Sequence, residues 1–189
     1  MLGVLVQLFV VAAVALADQQ SPIGPLRIEP PGGGGNPIVM SVTGIEQDPL
    51  PVAGRWSAAD ACLAEVPCFV SSWIEANSTA SVEHLLALRA PKERTEVEKR
   101  FRDPGLLSRN ASRFNEVRKW GLLGWADYGV IRIVFLTRDD EGSQSTIYTL
   151  PLTRVDGKWM QTDALAADVG VYEMFDRVGK AILERHRKR

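Results

Sequence analysis

The sequence predicts an α+β fold in which N-terminal helices pack on a bent antiparallel sheet and one more helix follows the sheet. Residues 117–165 contain successive runs of strand composition separated by polar turns. Apolar residues between positions 57 and 114 recur at helical spacing instead. After the sheet, one helical stripe is formed by Tyr172, Phe175, Val178 and Ile182.

The central strand of this prediction is residues 129–137, which are rich in β-branched and aromatic side chains. Alternate residues divide it into two faces that are both mostly apolar, so we expect both faces to be covered. An earlier strand spans residues 117–128, and its Gly121 and Gly124 would permit a sharp bend or a bulge.

Two short signals mark the later strands. The pair Asp156-Gly157 predicts a tight hairpin between a strand starting at Thr146 and a final strand over residues 158–162. Pro151 cannot donate a ladder hydrogen bond, so we expect it at an edge, at a bulge, or with its nitrogen turned away from a neighbouring strand.

Helix starts are marked by residues that favour the first turn or the cap, namely Ser57, Pro67, Ser81 and Pro91. The helix that Pro91 opens is strongly charged, and we expect it to end at the Asp-Pro-Gly tripeptide of residues 103–105. Asp168 is the expected cap of the last helix.

The chain divides into three parts. Residues 1–17 carry no charged side chain and end in Ala-Leu-Ala, which predicts a secretory signal peptide cut after Ala17, with an uncleaved anchor as the alternative. Residues 18–54 are rich in Pro and Gly, which predicts a flexible leader with a possible edge strand at 38–43. Residues 55–189 form the predicted domain. We therefore expect an exported protein, periplasmic or extracellular, with no transmembrane segment after cleavage.

Composition argues against several function classes. A formal net charge of −1 offers no general basis for binding nucleic acid. Two histidines are too few for a histidine-rich zinc site, and no phosphate-binding loop, EF-hand or nucleophile-elbow motif occurs. We expect neither a metal nor a cofactor.

Cys62 and Cys68 are the only cysteines in the sequence. On one continuous helix their Cα atoms would be about 9 Å apart, too far for a disulfide. Pro67 interrupts the helix between them and makes the bond feasible. In an oxidising compartment we expect a structural disulfide, with two buried thiols or redox chemistry as the alternatives.

Several residues could form a polar pocket. Arg132 lies on a mostly apolar strand, so it either faces solvent at an edge or, if buried, pairs with Asp127 or Asp163. Together with Trp125 it is the candidate lining of a ligand pocket. Asp127, Tyr128 and Asp163 are weak candidates for general acid–base catalysis.

Three stretches carry a resemblance to a known superfamily: residues 69–88, residues 125–137, and residues 152–162 with their Leu-x-Arg-x-Asp-Gly-Lys-Trp pattern. They resemble the nuclear transport factor 2-like superfamily, and the match spans residues 55–165. The resemblance implies a cone-shaped α+β fold that serves as a small-molecule pocket or a docking surface, and a possible homodimer formed through the sheet. No catalytic motif of that superfamily is present, so no catalytic residue is carried over.

These observations favour an exported, non-catalytic protein that binds a protein partner or a small ligand. The alternative is a small-molecule enzyme of the isomerase, dehydratase or hydrolase type that uses acid–base chemistry in the cone. A purely structural envelope protein is a third possibility.

Overall fold

The computed structural model describes residues 20–28, 38–45, 50–51, 62–140, 146–166 and 169–187. The predicted signal peptide, the helix start at Ser57 and the cap at Asp168 lie outside these residues. The strands are β1 (Gln20–Ile28), β2 (Ile38–Ile45), β3 (Leu50–Pro51), β4 (Val117–Tyr128), β5 (Ile131–Asp140), β6 (Thr146–Val155) and β7 (Lys158–Gln161). The α-helices are α1 (Val66–Ser78), α2 (Val82–Ala87), α3 (Arg94–Phe101), α4 (Pro104–Asn115) and α5 (Val169–Arg187). Short 3-10 turns occupy Cys62–Ala64 and Pro91–Glu93.

In the part of the chain that the structure describes, seven strands form one sheet in the order β1-β2-β4-β5-β6-β7, with β3 also paired to β4. Every strand pair is antiparallel, and β4 to β7 form a continuous meander. The segment with strand composition at residues 38–43 lies in β2. It is flanked by β1 and β4 rather than lying at the sheet edge.

The strand β5 is covered on both faces, as its sequence predicts. Val134 and Leu136 join the core cluster shared with α1, whereas Ile133 and Phe135 join a second cluster with α5. All four side chains are completely buried. The α+β architecture is therefore confirmed, with α1 to α4 on one side of the sheet and α5 on the other.

The predicted turn and bulge both occur. Asp156 and Gly157 take φ values of 50° and 79°, the left-handed conformation that a two-residue hairpin requires. The register of β4 against β5 shifts between Leu122 and Gly124, and Gly124 has a φ of 145° that favours glycine. The bulge increases the local twist of β4 and bends the sheet.

The helical layer contains one helix that the sequence pattern did not predict. Ser81 caps α2 by accepting a hydrogen bond from the His84 amide, as expected. The tripeptide at 103–105 does end α3, but its Asp103 also caps α4 by accepting from the Gly105 amide. Pro104 then occupies the first turn of α4, where its missing N–H has no cost.

The helix α5 covers the face of the sheet opposite α1. Phe175, Val178 and Ile182 are buried against the second core cluster, which confirms three members of the predicted stripe. A homodimer through this part of the sheet would have to displace α5, because the helix already occupies it. Among the described residues, no helix is both long and apolar enough to cross a membrane.

Gly179 permits the close approach of α5 to the sheet. A Cβ atom at this position would lie 2.6 Å from Ile147 Cγ2 and 3.2 Å from Phe135 Cδ1. We expect Gly179→Val to lower the free energy of unfolding by about 1–3 kcal/mol, because the added methyl groups overpack this contact. Urea denaturation measures the change.

The matched control is Lys180→Val on the exposed side of the same helix. It places the same β-branched side chain on the helix without the steric contact. It loses some helix propensity and the exposed pair with Asp176, so its loss should stay under about 1 kcal/mol. Equal losses in the two variants would show that the contact between α5 and the sheet is not the cause.

Candidate functional site

A pocket of about 540 Å³ opens between the helical layer and the edge of β6. It exists because β7 is short: β7 pairs only with residues 152–155 of β6, so residues 147–151 have no strand neighbour on that side among the described residues. The helices α1, α3 and α4 close the space over this edge. Its volume is within the roughly 300–1,000 Å³ range of small-molecule sites.

One wall of the pocket is aromatic. Trp73 of α1 contacts Phe114 and Tyr148, with ring centroids 5.0 and 5.3 Å apart. Trp120 lies behind them and stacks on Phe114 at 5.4 Å. These separations are direct ring contacts of the edge-on and offset kinds that aromatic pairs prefer. The rings therefore form one continuous surface, which Phe101 of α3 extends.

Amide side chains line another part of the pocket. Asn110 Nδ2 donates to Asn77 Oδ1 at 2.8 Å, and Asn77 Nδ2 donates to the Trp73 carbonyl at 2.8 Å. The Trp73 indole donates to Gln161 Oε1 at 2.9 Å. Both asparagines begin N-glycosylation sequons. Because their side-chain nitrogens are engaged inside the fold, a glycan at either position would break this chain of hydrogen bonds.

An ion pair closes one end of the pocket. Arg89 donates to Asp163 at 2.7 Å and lies 3.7 Å from Glu93. Glu93 in turn accepts from the Thr162 hydroxyl at 2.6 Å and from the Asp163 amide at 2.9 Å. These contacts join the end of β7 to the segment between α2 and α3. The Asp163 carboxylate is thus engaged in a structural pair.

Arg132 lies elsewhere, in a separate cleft of about 170 Å³ beside the start of α1. Its guanidinium donates to both carboxylate oxygens of Asp127, at 2.7 and 2.8 Å, across the β4–β5 pair. The same group lies 5.0 Å from the ring centroid of Trp125 and 4.6 Å from that of Trp159. Of the two partners expected for Arg132, the structure selects Asp127 because the two residues are directly opposite in register.

The predicted site residues therefore do not form one site. Arg132 and Trp125 line the small cleft, and Asp127 is more than half exposed at its edge. Tyr128 is 38% exposed and packs edge-on against Phe175 of α5. Asp163 is the one acid–base candidate that lines the larger pocket.

Sequence reasoning missed the residues that line the larger pocket. No sequence pattern singled out Phe114 or Tyr148 as a site residue. Arg100 lies in the charged helix that follows Pro91, and Arg89 lies just before that helix. One sequence feature could have indicated the pocket: the strand before Asp156 is longer than the strand after it. The longer strand, β6, is therefore left with part of one edge unpaired among the described residues.

Cys62 and Cys68 lie at disulfide distance, with their Cα atoms 5.6 Å apart. Cys62 belongs to the 3-10 turn and Cys68 to the first turn of α1. The change of chain direction at Glu65 and Val66 brings the two residues together, which a continuous helix would not allow. The pair ties the start of α1 beside the cleft that holds Arg132.

Of the comparisons with protein families, curated proteins and solved structures, the last finds a match. No protein-family description matches the chain, and no curated protein matches it. Among solved structures, the chain is similar to a SEC-C motif-containing protein from Rhodopseudomonas palustris. The identity is 14%, the TM-score is 0.39, and the match covers 59% of this chain and 93% of the other.

The expected membership of the nuclear transport factor 2-like superfamily is wrong, since the matching solved structure is a SEC-C motif protein and not a member of that superfamily. The sequence motifs that carry the resemblance indicate local backbone geometry only. A hairpin such as the one at Asp156-Gly157 forms wherever two strands need a tight turn, so it does not identify a family.

Arg132 provides a test of the smaller cleft. We expect Arg132→Met to lower the free energy of unfolding by about 1–2 kcal/mol, because the variant keeps the apolar stem but loses the paired carboxylate and both aromatic contacts. Asp127→Asn should cost less than about 1 kcal/mol, because that carboxylate is mostly solvated. Urea denaturation of the two variants and the unsubstituted protein measures these differences in the free energy of unfolding. A larger loss in the Asp127 variant would contradict the view that the two indoles supply most of the stabilisation.

Proposed function

We propose that this protein is an exported, non-catalytic binding protein that holds a small organic ligand in the pocket between its helical layer and the edge of β6. The observation that carries the proposal is the lining of the 540 Å³ pocket, where the aromatic wall of Trp73, Phe114 and Tyr148 meets the amides of Asn110 and Gln161. Small-molecule sites combine apolar and aromatic surface with placed polar groups, and surface of both kinds lines this pocket.

Binding without catalysis is supported by the polar groups around the pocket. Asp163 is held by Arg89 at 2.7 Å, and its backbone amide is held by Glu93. As a general base, Asp163 would have to accept a proton while its Oδ1 atom is bound to Arg89. The acid–base alternative depends on Asp163, because Asp127 and Tyr128 lie outside the pocket lining.

Export is supported by the uncharged, apolar run of residues 1–17 and by the cysteine pair at disulfide distance. We expect the protein recovered from its native host to begin at Asp18, and intact-mass measurement with N-terminal sequencing checks this. A chain that retains residues 1–17 and fractionates with membranes would favour the anchor instead. A chain that retains them in the cytoplasmic fraction would contradict export.

Binding in the pocket can be tested with 2-naphthamide, a neutral bicyclic aromatic amide. When the free concentration of a ligand is ten times its dissociation constant, binding to the folded state adds about 1.4 kcal/mol of stability. This should raise Tm by about 3–6 °C. Leu106→Trp, on an α4 residue that lines the pocket, should reduce the shift because the larger ring occupies part of the space beside the aromatic wall. Tm is followed by differential scanning fluorimetry and by circular dichroism.

The control is Ser108→Trp, which adds the same side chain at an exposed position of α4. It should keep the full response to the amide. No shift in the unsubstituted protein, or an equal shift in Leu106→Trp, would count against a binding site in this pocket.

A further inference from the structure

We infer that the ligand of this pocket is a planar aromatic molecule that carries a carboxylate, with its ring on the aromatic wall and its acid group toward Arg100. This inference rests on the binding role proposed above and narrows it to one chemical class. Three features of the pocket carry it: the arrangement of the rings, the balance of charges, and the open backbone edge of β6.

The rings pack against one another, so a ligand meets them from one side and not from within a cage. An aromatic cage for an ammonium group must leave a gap that the cation fills, with rings facing it on several sides. Here Trp73 lies in direct contact with Phe114, Tyr148 and Trp120, at centroid distances of 5.0, 5.3 and 6.1 Å. These contacts leave no gap between the rings for an ammonium group, and Trp73, Phe114 and Tyr148 are the three of them that line the pocket. A planar ring system can stack on these three rings or meet them edge-on.

One cation in the lining has no ion pair among the described residues, and this favours an anion beside it. The charged groups that line the pocket are Arg89, Arg100 and Asp163. Arg89 and Asp163 neutralise each other at 2.7 Å, and Glu93 adds a second carboxylate near Arg89 at 3.7 Å. Arg100 has no ion pair among the residues that the structure describes. Arg100 is therefore the cation that a ligand can pair with. A planar guanidinium can donate two parallel hydrogen bonds to a carboxylate.

The edge of β6 adds a backbone donor. The Pro151 carbonyl accepts from the Thr162 amide at 3.1 Å, so the polar groups of Pro151 point toward the β7 side of the strand. Since backbone groups alternate along a strand, the N–H of Thr149 points to the same side, where β7 no longer pairs. Thr149 lines the pocket, although its side chain shares a face with Phe135 on the α5 side. Its N–H is therefore available to an oxygen of the ligand.

Three probes of equal shape and different charge test the ligand class: 2-naphthoate, neutral 2-naphthamide and cationic 2-naphthylmethylammonium. Isothermal titration calorimetry on the full chain at low ionic strength should give the tightest binding for the carboxylate. The expected advantage over the amide is roughly three- to fivefold, the value of one solvent-exposed ion pair. It should shrink as salt is added, because exposed charges are screened. The ammonium should bind more weakly than the amide.

Arg100→Gln should bring the affinity for 2-naphthoate down to that for 2-naphthamide, and it should change the amide's affinity much less than the carboxylate's. The position is exposed on α3, so folding should not be affected. The matched control is Arg102→Gln, because Arg102 is also exposed, pairs with Glu98 at 3.6 Å and lies outside the pocket lining. It should leave the affinities for all three probes unchanged.

The outcomes separate this inference from the binding role. If the three probes bind equally, if the ammonium binds best, or if Arg100→Gln and Arg102→Gln behave alike, the anionic class is overturned while the pocket remains a binding site. If none of the probes binds, both the class and the binding role are overturned.

Discussion

The structure depends on one constraint: the central strand β5 is apolar on both faces and must be covered on both. Val134 and Leu136 are covered by the helical layer that contains α1, whereas Ile133 and Phe135 are covered by α5. Burying these four side chains is worth about 1.5–3 kcal/mol each relative to leaving them exposed. Neither helical layer could therefore be lost without exposing half of this strand, and the position of Gly179 shows how closely the second layer approaches.

The pocket arises from the same sheet by a difference in strand length. β6 extends ten residues and β7 only four, so the helical layer that covers the sheet passes over an edge with no strand neighbour among the described residues. An exposed strand edge carries unpaired N–H and C=O groups that can pair with another chain unless another element covers them. Here α3 and α4 provide that cover, and the space they leave is lined by rings from four separate elements, α1, α3, α4 and β6. The candidate site is in this sense a consequence of how the edge is protected.

The charged residues that are largely withdrawn from water join separate elements of the fold. Arg89, Glu93 and Asp163 fasten the end of β7 to the helical layer. Arg132 and Asp127 fasten β4 to β5, and the guanidinium also covers two indoles. In both groups a carboxylate satisfies an arginine whose side chain is largely withdrawn from water, as such a charge requires. Arg100 differs because it has no ion pair among the described residues, and it is the cation that we propose for a ligand.

The sequence by itself determined what local patterns can determine. The two-faced alternation of β5, the Asp156-Gly157 turn, the glycine bulge in β4 and the cap at Ser81 all follow from backbone preferences within a few residues. It did not reveal α4, because the Asp-Pro-Gly tripeptide at 103–105 ends one helix and begins the next with the same residues. Nor did it reveal the pocket or the pairing of Asp163 with Arg89. Those depend on which strand edge remains open and which elements cover it, and a local pattern directs a side chain only relative to its own helix or strand. Only the packing of distant elements decides what that side chain meets.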